Sequence, residues 1–197
     1  MRSGSASRRR WRRCALPAAN CAHACNTLGT LLLPEAHADA VRIGGGLHGF
    51  DPGAPGHGLL PVLTLATRVA GLRRAQRGDR VGYGGTHAVA ADTTLALLPC
   101  GYADGLSRAH WDGAHVLLGG RLVPVVGHVS MNQMVVDAGD AAVALGDEVV
   151  LLGVQGDQRV RPEQRAAPGC SAYEVTALLR PDLPRRHHGL PAAAAIR

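Results

Sequence analysis

Tyr102 is a titratable side chain whose setting in this sequence presents it to its surroundings. It stands in Cys100-Gly101-Tyr102-Ala103-Asp104-Gly105-Leu106-Ser107-Arg108, directly after the apolar run Leu95-Ala96-Leu97-Leu98-Pro99. A tyrosine held beside glycines where a strand breaks into a tight turn is presented to its surroundings instead of being buried. A phenol ionises near pH 10, so using one as a base at neutral pH costs about 4 kcal/mol, which nearby positive charge must offset. Read alone, the turn is more simply a hairpin whose tyrosine caps a small core, because short motifs match by chance. Two stretches downstream extend the pattern. One is Gly127-His128-Val129-Ser130-Met131-Asn132-Gln133 with Val135-Val136-Asp137; the other is Ala144-Leu145-Gly146-Asp147-Glu148-Val149-Val150-Leu151-Leu152-Gly153.

A second group of polar side chains lies upstream. His23-Ala24-Cys25-Asn26-Thr27 leads through an apolar segment ending at Leu33, then Pro34 to Ala40, into Val41-Arg42-Ile43-Gly44-Gly45-Gly46. This predicts a strand end, a short helix, and a strand that closes in a glycine turn with Arg42 at its lip. Such βα units place polar side chains and free backbone N–H groups at the C-terminal rim of a parallel sheet or barrel. The residues alone also permit a plainer reading: Arg42 as a solvated strand-end arginine and His23 as an imidazole bonded to its local turn.

The elements that must position these groups follow from the spacing of apolar runs. Phe50 to Gly58 is rich in Gly and Pro and reads as a linker. Beyond it, short apolar runs recur between turn signals: Val62 to Ala70, Arg80 to Gly84, Thr93 to Leu98, His115 to Leu118, Arg121 to Val129, Met134 to Val136 and Glu148 to Leu152. None is long enough for a good helix, and several alternate, which predicts an antiparallel β-domain, sandwich or small barrel. Ala172 to Arg180 carries one apolar helical stripe and stops at Pro181, so a short helix is expected there. The fold class is therefore mainly β: a domain over residues 60–186 preceded by a βα remnant over 18–55. Residues 1–17 and 187–197 read as unstructured tails.

Hydrophobic content of 46% with 18% charged residues calls for a packed core. Aromatic content of 3% is too low for platforms that stack single-stranded nucleic acid. The net charge of +6 is carried by Arg2, Arg8, Arg9, Arg10, Arg12 and Arg13, since the other arginines balance the 15 Asp and Glu residues. The body is thus neutral, and nucleic-acid binding is not expected of it. No apolar stretch is long enough to span a membrane, and Pro17, Asn20 and His23 interrupt the segment behind the arginines. Cys14, Cys21, Cys25, Cys100 and Cys170 are odd in number and irregular in spacing, which predicts free thiols. Cys21-x-His23-x-Cys25 has no second ligand pair at finger-like spacing, so no metal site is expected. All 21 residues counted as Lys and Arg are arginine; the chain has no lysine.

In order and spacing, GYADG, GHVSMNQMVVDAGD and ALGDEVVLLG resemble the C-terminal domain of the pyridoxal-phosphate-dependent alanine racemases. The upstream segment is similar to the last barrel strands of that family, and Tyr173-Glu174 to its C-terminal Tyr-Glu segment. The resemblance runs from about residue 18 to 186. It covers the end of a TIM-type barrel and the C-terminal β-domain, but not the barrel segment bearing the cofactor lysine.

The resemblance implies an isomerase that interconverts L- and D-alanine, supplying D-alanine as a cell-wall peptidoglycan precursor in the cytoplasm. It implies pyridoxal phosphate as electron sink and two bases on opposite faces of the substrate, the cofactor lysine and Tyr102. By the same resemblance Thr27, Gly44, Gly45 and Tyr173 hold the phosphate, and Arg42 donates to the pyridine nitrogen. His23 bridges from Arg42 towards Tyr102, and the backbone of Met131 faces the substrate carboxylate. An arginine at the ring nitrogen keeps its own proton and leaves the pyridine largely unprotonated, which limits side reactions such as transamination. The implied assembly is a homodimer, with Tyr102 and Met131 acting on cofactor held by the other subunit, or a pairing with a complementing N-terminal segment. Asn132 departs from the usual aspartate, and His48 from a common tyrosine. With no lysine the chain is expected to be inactive alone. The alternative class is a non-catalytic β-domain that binds a partner, or a polyanion through its arginine tail.

Overall fold

The computed structural model describes residues 22–50 and 57–188. The predicted basic tail, most of the linker and nearly all of the C-terminal tail lie outside these residues.

The first unit is a short β–α–β crossover. β1 (His23–Ala24) and β2 (Ala40–Val41) pair in parallel, with His23 opposite Ala40 and Ala24 opposite Val41. Parallel neighbours need a crossover connection, and α1 (Thr27–Leu32) provides it. The Asn26 side chain caps this helix by accepting from Gly29 N at 3.0 Å, which satisfies an amide the first turn leaves unpaired. After β2 the chain enters a 3₁₀ turn over Gly45–His48.

The β-domain follows, in two antiparallel sheets. In one, β7 (Thr93–Leu98) lies between β4 (Gly71–Ala75) and β10 (Met134–Gly139), with Leu72 and Val136 both opposite Ala96. In the other, β11 (Glu148–Gln155) is central: it pairs with β3 (Leu65–Arg68), β8 (His115–Leu118) and β12 (Gln158–Val160), and β8 pairs in turn with β9 (Arg121–Pro124). A small hairpin joins β5 (Arg80–Val81) to β6 (His87–Ala88). Chain leaving β9 stitches the two sheets together, through a bridge from Val125 to Val136 and a bond from Val126 N to Val135 O at 2.8 Å.

Alternation along β10 buries Met134, Val136 and Ala138 on one face, as a half-buried strand requires. They join Leu98, Trp111, Val129 and Val149 to Leu152 in the main core. A smaller core gathers Ala75, Val81, Val89, Leu95 and Val126. Two short helices complete the domain, α2 (Arg108–Trp111) and α3 (Ala172–Ala177).

The mainly-β reading holds, with some changes of boundary. The run expected from Arg121 to Val129 leaves its ladder at Pro124, because Gly127 turns the chain with a φ of 71°. β4, β6 and β12 lie outside the expected runs. Leu72, Arg73 and Arg74 of β4 are all exposed on an edge strand, so no apolar alternation marks it. The C-terminal helix appears as predicted but ends at Ala177.

Candidate active site

Tyr102 opens a 3₁₀ turn over Tyr102–Asp104, immediately after β7 and the Pro99-Cys100-Gly101 link. Backbone bonds pin this turn to the loop before β10: Tyr102 N donates to Ser130 O at 3.0 Å and Ala103 N to Met131 O at 2.9 Å. The approach is so close that a Cβ on Gly101 would lie 2.2 Å from Ser130 O and 2.5 Å from Met131 O. The Asp104 carboxylate accepts from Gly101 N at 2.9 Å and closes the turn from the other side. The phenol is thereby presented outward, 44% exposed. It faces an open cleft of about 460 Å³ shared with Tyr83, Arg108, Ser130, Met131, Asn132 and Gln133.

Arg108 on α2 supplies positive charge to this cleft. Its guanidinium lies 5.8 Å from the centre of the Tyr102 ring, and its Nε donates to Val129 O at 2.9 Å. A cation in that position is attracted to the face of the ring. Met131 lines the cleft with its side chain exposed, and its carbonyl is taken by Ala103 N, which leaves its own N–H as the backbone donor that can meet a carboxylate.

The upstream residues form a second cluster. Arg42 Nη1 and His23 Nδ1 are 3.1 Å apart, so the guanidinium donates to the imidazole across the β1–β2 pair. Thr27, buried at the start of α1, accepts through Oγ1 from Gly44 N at 3.2 Å and Gly46 N at 3.1 Å. A hydroxyl that accepts twice still has its proton to donate. Tyr173 comes from α3, on the far side of the β-domain sequence, and lies against the same glycine turn. A Cβ added at Gly45 would fall 2.1 Å from its Cε1 and 2.6 Å from its hydroxyl oxygen. Phe50 packs against the Tyr173 ring with centroids 5.4 Å apart.

The structure thus brings Thr27, Gly44, Gly45 and Tyr173 together, and pairs His23 with Arg42. Tyr102 and Met131 lie together in the other cluster. Within one chain, no hydrogen bond or ring contact among the described residues runs from His23 or Arg42 to Tyr102. The two clusters are instead held in one framework by α3: Tyr173 stands at its start, while beyond its end Arg180 N donates to Asp104 O at 3.1 Å. Leu178 O sits against Gly105, where a Cβ would come within 2.0 Å.

Sequence reasoning gave no part to Arg108, Gly46 or Phe50. Arg108 ends the motif that contains Tyr102, but its place over the ring depends on α2 turning back. Gly46 was quoted as one of three glycines, and nothing in the sequence distinguishes which amides reach Thr27. Cys100, beside the turn, is not a nucleophile: it packs against the main core, and burial pushes its thiol up to about 12.

Comparison with known proteins places the chain in a family. The family profile described as "Alanine racemase, C-terminal domain" matches residues 62–187. The alanine racemase of Frankia casuarinae is 40% identical over 172 residues, which are 84% of this chain and 44% of that protein. The structure of alanine racemase from Streptomyces coelicolor A3(2) superposes with a TM-score of 0.82 at 35% identity, covering 93% of this chain and 49% of that one. The alanine racemase from Bartonella henselae, solved with covalently bound pyridoxal phosphate, superposes with a TM-score of 0.70 at 31% identity, covering 79% and 43%. The chain therefore spans less than half the length of these relatives. With the family profile matched over residues 62–187 and relatives about 40% identical over more than four-fifths of its length, the chain belongs to the alanine racemase family.

Proposed function

We propose that this chain contributes the tyrosine-bearing part of an alanine racemase site that uses pyridoxal phosphate, with the cofactor lysine supplied from outside these 197 residues. The observation that carries the reading is the cradle at Gly45. Its missing Cβ admits the Tyr173 ring, and the Tyr173 hydroxyl and the Thr27 O–H stand over the same glycine turn as potential donors. Hydroxyl donors gathered at a glycine turn suit a phosphate group. Arg42, its guanidinium oriented by His23 at 3.1 Å, suits the ring nitrogen.

These donors fit the phosphate and the ring of the cofactor; its covalent anchor does not fit this chain, which has no lysine. When bound, pyridoxal phosphate supplies the electron sink that acidifies the Cα–H bond of an amino acid. The residues of this chain then do the rest on one face. Tyr102 takes or returns the proton through its hydroxyl oxygen, with Arg108 beside its ring, and the Met131 N–H meets the substrate carboxylate. Asn132, where the family usually has an aspartate, removes a negative charge from that cleft. The Tyr102 cluster serves a cofactor held by another copy or by a complementing segment. Leu32, Leu33 and Leu47 are exposed beside the two-stranded crossover, which suits association with further barrel strands.

The test is binding of pyridoxal phosphate by the 197-residue chain, followed by absorbance, then borohydride reduction and mass mapping. The reading predicts reversible binding that needs the phosphate, weakens at least about tenfold in Tyr173→Phe, and leaves no adduct on any side chain. Equal binding of pyridoxal lacking phosphate, or no effect of Tyr173→Phe, would contradict it.

A further inference from the structure

His110, Cys170 and Glu174 come from two segments far apart in sequence, yet a ring nitrogen of His110, Sγ of Cys170 and a carboxylate oxygen of Glu174 all lie within 4.8 Å of one another. We infer that they form a zinc site that fastens α3 to α2. None of the three has a part in the racemase reading.

The donor set selects the ion. A thiolate, an imidazole and one carboxylate are ligands for zinc, whereas magnesium and calcium prefer oxygen alone. Thiolate and carboxylate together carry two negative charges, which a divalent cation neutralises, and a water completes four-coordination. Tetrahedral zinc sets its ligand atoms roughly 3.3–3.7 Å apart, so atoms that lie within 4.8 Å of one another close by roughly 1–1.5 Å at most on binding.

The surroundings are arranged as supports for the ligands. His110 is 6% exposed, and its Nδ1 lies 3.0 Å from Arg165 O and 3.3 Å from Ala167 N. Nδ1 cannot both donate to the Arg165 carbonyl and accept from the Ala167 N–H; zinc at Nε2 selects the tautomer whose Nδ1–H donates to Arg165, at the shorter of the two contacts. Cys170 is half-buried and is held by a turn in which its N–H donates to Ala167 O at 2.9 Å. One Glu174 oxygen accepts from Ser171 N at 2.9 Å, which fixes the side chain and leaves its second oxygen for a ligand. The three ligands thus grade from buried to exposed, giving the ion a route in from solvent. Binding releases the Cys170 thiol proton to the buffer, so affinity rises with pH. The fastened helices are those that carry Arg108 and Tyr173, and the ion therefore steadies both clusters of the candidate active site without touching either.

The experiment uses the full chain, reduced and stripped with a chelator, and titrates it with Co²⁺ and then Zn²⁺. One equivalent of Co²⁺ is expected to give a thiolate-to-cobalt charge-transfer band with tetrahedral visible bands, both removed by Zn²⁺. Cys170→Ser should lose the charge-transfer band while keeping its circular dichroism. Glu174→Gln, which can still cap Ser171, should bind at least about tenfold more weakly. Cys25→Ser tests the competing Cys21-x-His23-x-Cys25 sequence and should leave the bands intact. Zn²⁺ should also raise the melting temperature of the wild-type chain and not that of Cys170→Ser. Absence of the thiolate band, or a band that survives Cys170→Ser and disappears in Cys25→Ser, would overturn the assignment.

Discussion

At residue scale, a side chain beside the candidate site is kept out of the chemistry by its surroundings. Cys100 immediately precedes the Gly101-Tyr102 turn, and a thiol there invites a nucleophilic role. Burial against the main core overrides it, raising the thiol from 9.0 to about 12; the bond with Thr67 lowers it only in part, and Asp104 adds to the rise. Because the folded value is raised, the stability this thiol contributes is whole below pH 9.0 and is lost as pH climbs towards about 12. In the metal-free chain, Cys100, half-buried like Cys25 and Cys170, should therefore react with iodoacetamide at mildly alkaline pH far more slowly than free cysteine does. Melting curves should lose less stability above pH 9.0 in Cys100→Ala than in the wild type. Early labelling of Cys100, or an unchanged alkaline slope, would contradict the assignment. Tyr102 itself could be picked from the sequence because glycines flank it at a strand end. Arg108 could not, since its position over the ring arises only when α2 folds back across the cleft.

At element scale, the turn carrying Tyr102 is fixed by backbone contacts that leave no room for a side chain. Gly101 faces the carbonyls of Ser130 and Met131, and Gly105, with a φ of 93°, faces that of Leu178. Backbone atoms cannot swing aside as a side-chain tip can. Gly101→Ala and Gly105→Ala should each destabilise the fold by at least about 2 kcal/mol in urea titrations. Gly44→Ala, whose Cβ would meet nothing within 4 Å, should change stability by less than about 0.5 kcal/mol. Equal effects at all three positions would show that the turn is looser than described. The strands were readable to different degrees for related reasons. β7 and β8 match the predicted runs residue for residue, because each pairs on both sides and buries most of its side chains, which makes its apolar run stand out. β4 escaped notice because an edge strand exposing two arginines satisfies its backbone without any apolar pattern. The His110, Cys170 and Glu174 cluster was equally hidden, since ligands 60 residues apart leave no spacing to read.

At the scale of the whole molecule, the chain joins its two clusters through α3, and its 197 residues include no lysine. α3 connects them, with Tyr173 at the Gly45 cradle and the Arg180 backbone at the Tyr102 turn. Only lysine offers a side-chain amine that deprotonates near neutral pH, and the guanidinium of arginine stays charged, so 21 arginines cannot substitute for one lysine. On the proposed function, a site left with one of two bases would be slower by about 10²- to 10⁴-fold, and the absence of a covalent anchor would add to that. The composition stated this plainly, whereas the joining of both clusters through α3 required the fold. The most direct test is conversion of L-alanine to D-alanine by the purified 197-residue chain with pyridoxal phosphate, with and without a separately expressed N-terminal alanine racemase segment that bears the lysine. The account predicts no enzymatic turnover from the chain alone, turnover when the segment is added, and loss of that turnover in Tyr102→Phe; robust racemisation by the chain alone, or full activity of the Tyr102→Phe mixture, would contradict it.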